Sequence, residues 1–314
     1  MWQPGPVTPT RLLAGTLGAG ATLGAAVTAY AVWEARAFTL RCVTMPVLPA
    51  GSASLRVLHL SDLHLTPTQG AKRRWIASLA DLAPDLVVNT GDNLAHQQAV
   101  PALLDAFGPL LDVPGVFVLG SNDYFAPRLR NPARYLLPDD GQRNTGANRL
   151  PSDRLKAELT GRGWRDLTNS RDELKVGQTR IAFAGVDDPH LEYDDLDAVA
   201  GPADPTADVR MGVTHAPYLR VLDQFAGDGY ETVLAGHTHG GQLRLPLRGA
   251  LVTNCDLETA RARGLHRHPA DAPAGAPESS WLHVSAGLGT SPYAPVRFCC
   301  RPEATLLTLT PVQP

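Results

Sequence analysis

Six times along this chain, a short run of apolar residues ends abruptly in a polar cluster that contains Asp, Asn or His. The runs cover residues 55–60, 85–90, 116–119, 181–184, 209–213 and 232–235. Apolar runs of this length, rich in Leu and β-branched residues, are typical of buried strands. We therefore expect strands whose carboxyl ends carry most of the polar chemistry.

Helical patterns lie between the first three of these strands, roughly at residues 71–82 and 100–111. Strands that alternate with helices usually pair in parallel, which predicts an α/β fold. In such sheets, ligands bind beyond the carboxyl ends of the strands. The six polar clusters should therefore converge on a single site.

The composition fits a globular domain and excludes several classes of protein. Hydrophobic residues make up 44% of the chain and charged residues 19%, so a buried core can form. The net charge of -3 argues against a nucleic-acid partner. The 4 cysteines show no C-x-x-C spacing, so neither a disulfide framework nor a zinc ribbon is indicated.

The N-terminal segment has no charged residue from residue 12 to residue 33. That length can cross a bilayer. Gly, Ala and Thr dominate it, however, and residues 29–31 resemble a signal-peptide cleavage site. We expect a single uncleaved anchor in preference to a signal peptide or a buried helix, and hence a membrane-anchored or exported protein of open orientation. Residues 1–50 are assigned to this segment and its linker, and residues 51–314 to one domain.

Two further expectations concern the rest of the domain. Residues 124–153 are rich in Arg, Pro and Asn and are long for a loop, which predicts a flap beside the third cluster. His59 and His283 lie inside apolar runs, and we expect both to be core residues.

The sharpest polar cluster contains His237 and His239, separated by one threonine and flanked by glycines. Two imidazoles at this spacing in a glycine-rich loop are difficult to explain by packing and favour metal ligation.

The other clusters are weak signals when each is taken alone. Asp62-Leu-His64 has a spacing that suits a metal site, but it also occurs in ordinary polar turns, and Gly91-Asp92 is a common turn pair. A lone His215 after a strand is more often a satisfied buried histidine.

The order of the clusters along the chain makes the interpretation as a metal site stronger. Asp-x-His at 62–64, Gly-Asp at 91–92, Gly-Ser-Asn-Asp at 120–123, a lone His at 215 and Gly-His-x-His at 236–239 each follow a strand. Together they resemble the calcineurin-like metallophosphoesterase family over about residues 54–310. Residues 185–189 and 236–242 most resemble the bacterial membrane-associated branch of that family. The resemblance implies an α/β fold of two mixed β-sheets packed as a sandwich and flanked by helices, with a two-metal site at one edge.

The resemblance also implies the ligands of two divalent metal ions. One ion would be held by Asp62, His64 and His239, the other by Asn122, His215 and His237, and Asp92 would bridge them. This mixture of nitrogen and oxygen ligands suits Mn, Fe or Zn and argues against calcium. The two carboxylates leave a net positive site, which can hold a bridging hydroxide and attract a phosphate.

One motif departs from the family pattern. The third motif usually reads Gly-Asn-His followed by an acidic residue, whereas this chain has Gly120-Ser121-Asn122-Asp123. A gapless match makes Ser121 the ligand, and a one-residue shift restores Asn122, which we favour because Ser is a poor neutral ligand. Neither match supplies the His that protonates the leaving group, a role left to Asp123 or to water.

The expected function is therefore a binuclear metal-dependent phosphoesterase, with Asp92, Asn122 and Asp123 as catalytic residues. Attack by a metal-bridging hydroxide would cleave a phosphodiester or pyrophosphate bond in a phosphorylated small-molecule or lipid-linked substrate. The missing histidine keeps a second hypothesis open, a metal-binding but catalytically impaired module that recognises a phosphorylated lipid or wall component. A third hypothesis, a mononuclear zinc hydrolase of a non-phosphate ester, predicts one metal per chain.

Overall fold

The structure is a computed structural model that describes residues 9–129, 141–143, 145–146 and 148–312, with side chains from residue 22 onward. The strands are β1 (Thr39–Leu48), β2 (Leu55–Leu60), β3 (Leu86–Asn89), β4 (Gly115–Phe117), β5 (Arg165–Asp166), β6 (Ser170–Val176), β7 (Thr179–Gly185), β8 (Val209–Val213), β9 (Thr232–Ala235), β10 (Arg244–Leu245), β11 (Gly249–Ala250), β12 (Gly264–His268), β13 (Ser280–Val284) and β14 (Glu303–Pro311). The helices are α1 (Pro9–Glu34), α2 (Gly70–Ser78), α3 (Val100–Phe107), α4 (Ser121–Tyr124), α5 (Ser152–Thr160), α6 (Leu196–Val199) and α7 (Leu219–Gly227). Short 3-10 helices cover Leu79–Leu82, Gly108–Asp112, His239–Gly241 and Thr259–Arg261.

Within the described residues, the strands form two 6-stranded sheets and the small β10–β11 hairpin. The first sheet has the order β1-β14-β2-β3-β4-β5, in which β2 to β5 are parallel and β14 is antiparallel to β2. The second has the order β12-β13-β9-β8-β7-β6, with β7, β8, β9 and β13 parallel and both edge strands antiparallel. Both sheets are therefore mixed, as expected.

A buried apolar layer lies between the two sheets. Val57, Val88 and Val116 of the first sheet belong to the same core cluster as Phe183 and Met211 of the second. Side chains of α2, α3 and α5 pack on the outer face of the first sheet, and those of α7 pack on the second. The expected α/β sandwich of two mixed sheets with flanking helices is confirmed.

The first sheet begins before residue 51, where we expected the domain to start. Strand β1 pairs in parallel with β14 from Thr39 to Leu48, and Met45 and Leu48 are completely buried in the core. These two side chains are apolar residues of an extended segment that we had assigned to a linker. Residues 39–48 are therefore part of the sandwich.

The uncharged N-terminal run lies within α1. In the part of the chain that the structure describes, no helix combines enough length with enough apolar character to cross a membrane, so the expected transmembrane segment is not confirmed.

Two smaller expectations have different outcomes. His59 and His283 are both buried in the core, where their Nδ1 atoms lie 2.9 Å apart, as expected. The middle of the expected flap, residues 130–140, lies outside the described residues, as do residues 144 and 147. The end of that segment forms the start of α5.

Candidate metal centre

The carboxyl ends of six strands meet where the two sheets adjoin. Strands β2, β3 and β4 of the first sheet and β7, β8 and β9 of the second each lead into one of the polar clusters. Backbone hydrogen bonds join these loops directly: Asp62 N–H donates to Gly91 O over 2.9 Å, and Gly236 N–H donates to His215 O over 2.9 Å. The clusters that are far apart in the sequence therefore form one site.

Four of the predicted ligands form a compact group at this edge. Ligand atoms of Asp62, His64, Asp92 and His239 all lie within 4.8 Å of one another. His64 Nε2 is 3.5 Å from Asp92 Oδ2, and His239 Nε2 is 3.6 Å from Asp62 Oδ1. The two Nε2 atoms are only 3.2 Å apart, a separation that needs a proton or a cation between them. This arrangement suits a metal ion.

The remaining predicted ligands lie on the other side of Asp92. Asn122 Nδ2 donates to Asp92 Oδ2 over 2.7 Å, and His215 Nε2 lies 3.5 Å from Asp92 Oδ1. The rings of His215 and His237 are in an edge contact, with centroids 5.2 Å apart. Asp92 thus lies between the two predicted ligand groups.

Backbone carbonyls orient three of the imidazoles. His215 Nδ1 lies 2.7 Å from Thr90 O, His237 Nε2 lies 3.0 Å from Asn254 O, and His239 Nδ1 lies 3.2 Å from Gly289 O. Since a carbonyl only accepts, a proton on each of these nitrogens satisfies the contact, and the opposite nitrogen of the neutral ring is the one that can bind a metal. Carbonyl partners of this kind usually accompany metal-binding histidines.

The Nε2 atom of His215 provides a test of whether the site fits a cation. It is buried and has no hydrogen-bond partner among the described residues. A buried polar atom without a partner is costly. A cation beside Asp92 would satisfy it, so the residues present fit a metal site.

The backbone of the site is strained. Asp62, His64, Asp92, His237 and His239 all have positive φ angles, between 42° and 68°. Non-glycine residues rarely adopt this region, and such conformations cluster at functional sites. Five of the seven predicted ligands share this conformation, which indicates that the loops are shaped for ligation at some cost in stability.

The two carboxyl groups of the site have different electrostatic environments. Burial raises the pKa of Asp62 to about 6. Burial also acts to raise the pKa of Asp92, but the charges of His215 and His64 and the hydrogen bonds from Asn122 outweigh it and lower that pKa. Asp92 is therefore the permanent negative charge of the site.

The histidines also differ. Burial lowers the pKa of His64 to about 4 and that of His239 well below its usual range. For His215, burial acts to lower the pKa, but the charges of Asp92, Asp188 and Asp62 outweigh it and raise the pKa to about 9. Without a metal, a proton on His215 therefore balances Asp92 at neutral pH.

The two candidate ligands of the third cluster, residues 120–123, donate to different carboxylates. Both the backbone N–H and the amide of Asn122 donate to Asp92, each over 2.7 Å. The Ser121 hydroxyl instead donates to Asp188. Asn122, and not Ser121, therefore faces the carboxylate that would bridge the metals.

Asp123 occupies an unexpected position for a proton donor. It is completely buried, and its carboxylate accepts from the backbone N–H groups of Asn93 (2.8 Å) and Gly120 (3.1 Å). Burial and the charge of Asp92 raise its pKa to about 7. Asp123 therefore connects the loops after β3 and β4 from within the protein interior, and none of its side chain is exposed to a substrate.

Close approach of the loops requires glycine at two positions. A Cβ atom on Gly120 would lie 2.5 Å from Asp92 Oδ1 and 2.7 Å from His215. A Cβ atom on Gly236 would lie 1.9 Å from Ser61 Oγ. Larger residues at either position would displace the ligand side chains.

One histidine of the site was missed from the sequence. The His190 ring lies 4.6 Å from that of His237, and His190 Nδ1 lies 3.1 Å from the Tyr218 hydroxyl. Arg143 in turn donates to that hydroxyl over 3.3 Å. His190 follows the Asp187-Asp188-Pro189 cluster directly, so extending that cluster by one residue would have found it.

A buried arginine supports the loop of His239. Arg297 is completely buried, and its guanidinium donates to the carbonyls of Ala286 and Gly289, each over 2.7 Å. Its other terminal nitrogen, Nη1, lies 3.4 Å from His239 O. Nothing in the sequence distinguishes Arg297 from surface arginines, because most of its partners are backbone carbonyls.

The last turn of α1 is hydrogen-bonded to the segment that contains Arg297. The buried Glu34 carboxylate accepts from the backbone N–H groups of Cys299 (2.8 Å) and Cys300 (2.9 Å). Arg297 N–H donates to Ala31 O over 3.0 Å. The end of the N-terminal helix is thus connected through residues 297–300 to the loop of His239.

Three known proteins are similar to this chain over most of its length. The chain is 28% identical over 263 residues to the uncharacterized metallophosphoesterase YkoQ of Bacillus subtilis, covering 82% of this chain and 84% of YkoQ. It is 28% identical over 293 residues to the UDP-2,3-diacylglucosamine pyrophosphatase LpxG of Chlamydia trachomatis, covering 81% and 83%. It is 27% identical over 283 residues to a bovine transmembrane protein with a metallophosphoesterase domain, covering 85% of this chain and 56% of that protein.

The model of one family matches more than half of the chain. The match covers residues 55–241, which include all seven predicted metal ligands. The chain belongs to the calcineurin-like phosphoesterase family.

Proposed function

We propose that this chain is a binuclear metal-dependent phosphoesterase that hydrolyses phosphodiester or pyrophosphate bonds. The observation that carries the proposal is the position of Asp92, with His64 Nε2 and His215 Nε2 each 3.5 Å from its carboxylate oxygens. Two divalent cations, when bound in such a site, supply a water nucleophile at neutral pH and counter-charge for the phosphoryl oxygens.

The residues of the chain would divide this work between two groups. Asp62, His64 and His239 would hold one cation, and Asn122, His215 and His237 the other, with Asp92 shared between them. The carbonyl-oriented imidazoles present lone pairs without needing to rearrange. The mixed N and O ligands favour Mn, Fe or Zn.

The proposed substrate class is supported by one similar protein. LpxG is named as a pyrophosphatase of a diacylated nucleotide sugar, which supports a pyrophosphate or diester linkage in a small-molecule or lipid-linked substrate. The membrane-anchored or exported location remains a prediction, and the bovine relative that is named as a transmembrane protein is consistent with it.

Protonation of the leaving group needs a donor other than Asp123, which is completely buried. We infer that His190 serves this step, because its ring lies beside His237 and the Tyr218 hydroxyl orients it. A His190→Ala variant should then hydrolyse alkyl esters, which are poor leaving groups, much more slowly, while nitrophenyl esters lose little. Equal losses on both ester classes would remove His190 from this role.

The decisive experiment uses the full chain loaded with Mn²⁺ and three substrates: bis-nitrophenyl phosphate, nitrophenyl phosphate and a nucleotide sugar. We expect metal-dependent turnover of the diester or the pyrophosphate, at a higher rate than of the monoester. Asp92→Ala and His237→Ala should abolish it. Metal-independent activity, or activity that survives in both variants, would refute the proposal.

A second candidate function is favoured by the missing histidine of the third motif. In this alternative, the chain binds metals and recognises a phosphorylated lipid or wall component without turnover. Tight binding of a phosphate ester that is recovered intact would support it, whereas many turnovers per chain would exclude it.

A further inference from the structure

An exposed leucine stands at the tip of the β10–β11 hairpin. Leu247 is completely exposed and has a φ of 67°, a conformation that is a genuine outlier for a bulky residue. Leu245 and Leu251, at the two sides of the hairpin, are also more than one third exposed. The apolar side chains of this hairpin therefore gain little from packing within the described chain.

The hairpin is continuous with the end of α1. Arg244 N–H, at the start of β10, donates to Phe298 O over 2.9 Å, and the Phe298 ring lies edge-on to Tyr30 of α1 at 5.5 Å. Tyr30 and, one turn later, Trp33 are about half exposed. We define the hairpin patch as the exposed apolar side chains of the hairpin and of the end of α1, residues 30, 33, 245, 247 and 251, which Phe298 connects.

The border of the hairpin patch is cationic. Arg244 and Arg248 belong to the hairpin, Arg263 Nη1 lies 3.9 Å from Cys300 Sγ, and Arg301 follows Cys300. Among the described residues, none of these four arginines forms a salt bridge to a carboxylate. The Arg301 guanidinium lies 5.4 Å above the Trp33 ring. The nearby Glu34 carboxylate is buried and accepts from two backbone N–H groups. The Glu303 carboxylate, whose charge reaches Arg244, is completely buried and is paired with Arg41, so the border keeps an excess of positive charge.

We propose that the hairpin patch docks on the surface of an anionic lipid bilayer, with Leu247 entering the acyl boundary. Exposed leucines, interfacial Trp and Tyr, and a cationic border are the three features that bind a protein to such a surface. The cationic border complements anionic headgroups, and the apolar tip distinguishes this partner from a nucleic acid. The inference does not depend on the catalytic proposal.

The position of the hairpin gives the docking a consequence for the metal centre. The hairpin follows the His239–Gly241 turn directly, and Arg244 Nη1 donates to Gly240 O over 2.7 Å. Docking would therefore hold the ligand loop of His239 close to the headgroups. An amphiphilic phosphate ester could reach the site without leaving the bilayer.

The test measures how deeply residue 247 enters the bilayer, because binding through α1 alone would not place the hairpin in lipid. The full-length Leu247→Trp protein is mixed with phosphatidylglycerol vesicles whose acyl chains are brominated, and Trp quenching is compared with that of the parent chain. The matched control is Val312→Trp, at an apolar residue that is 46% exposed and follows the end of β14 opposite Glu303. We expect additional quenching for Leu247→Trp and none for Val312→Trp.

Co-sedimentation with the same lipids, unbrominated, provides the second readout. Leu247→Ser should weaken vesicle binding by roughly 10- to 150-fold, which is the loss expected for one fully buried leucine side chain. Arg248→Glu should weaken binding to phosphatidylglycerol but not to neutral phosphatidylcholine vesicles. No additional quenching at residue 247, or a soluble dimer that Leu247→Ser dissociates, would overturn the proposal.

Discussion

The neighbouring residues Ser121 and Asn122 provide a sharp test of the site, because the family motif allows either one to be the ligand. Two parallel variants, Ser121→Ala and Asn122→Ala, each remove one polar side chain and leave the backbone unchanged. In the structure, Asn122 faces Asp92, whereas the Ser121 hydroxyl faces Asp188.

The expected magnitudes follow from these contacts. Asn122→Ala keeps the backbone N–H bond to Asp92 and loses the 2.7 Å amide bond to the same carboxylate. A hydrogen bond to a charged group contributes about 1.5–3 kcal/mol, or roughly 10- to 150-fold in an affinity or rate. Ser121→Ala also loses a hydrogen bond to a carboxylate, but that carboxylate belongs to Asp188, which is not among the predicted metal ligands. We therefore expect its effect on Mn²⁺ affinity and on the rate to stay below about ten-fold.

The assay combines the Mn²⁺ dissociation constant from calorimetry with kcat/KM for bis-nitrophenyl phosphate. Asn122→Ala should weaken both by the larger factor, and Ser121→Ala by the smaller. Thermal unfolding of the metal-free proteins checks that neither variant loses its fold. If Ser121→Ala has the larger effect on metal affinity, the gapless match is right and the assignment of Asn122 as ligand is refuted.

Three further predictions concern the supports of the site and the core. Glu34→Gln should weaken Mn²⁺ binding several-fold, since its carboxylate accepts from the backbone N–H groups of residues 299 and 300. The control Glu231→Gln, directly before β9, removes a carboxylate bound to the backbone N–H and the guanidinium of Arg210 and should not weaken Mn²⁺ binding. The pKa of His215 is raised to about 9, so Mn²⁺ binding at pH 7 should release about one proton from it. Calorimetry in buffers of different ionisation enthalpy measures this release, and its absence would show that His215 is not a ligand. Burial lowers the pKa of His283 to about 3, so the neutral form stabilises the fold above pH 6.5. This stability is lost as the pH falls from 6.5 toward 3, by at most about 1.4 kcal/mol per pH unit. His283→Leu should flatten this slope in urea unfolding, and an unchanged slope would contradict the assignment.

The strand ends and their polar clusters could be predicted from the sequence because both signals are local. An apolar run followed by Asp62-Leu-His64 reads as a strand and a loop without any knowledge of the rest of the chain. The sandwich arrangement came from the family resemblance, since pairing between sheets depends on contacts that no local pattern records. Strand β1 was missed for the same reason: only its pairing with β14 makes it part of the sheet.

The supports of the site were hidden from the sequence by long-range packing. The burial of Asp123 depends on backbone groups of Asn93 and Gly120, which the fold brings together. Arg297 is bound by carbonyls, which every residue carries, so its identity as a support cannot be read from residue types. His190 was the exception, because it follows a cluster that the sequence had already singled out.

The central claim is that two metal ions lie on either side of Asp92. The most direct test is the metal content of the purified full chain after Mn²⁺ loading, measured by elemental analysis together with turnover of bis-nitrophenyl phosphate on the same sample. We expect two metal ions per chain and turnover, both lost together in Asp92→Ala. One metal per chain with full activity would contradict the account.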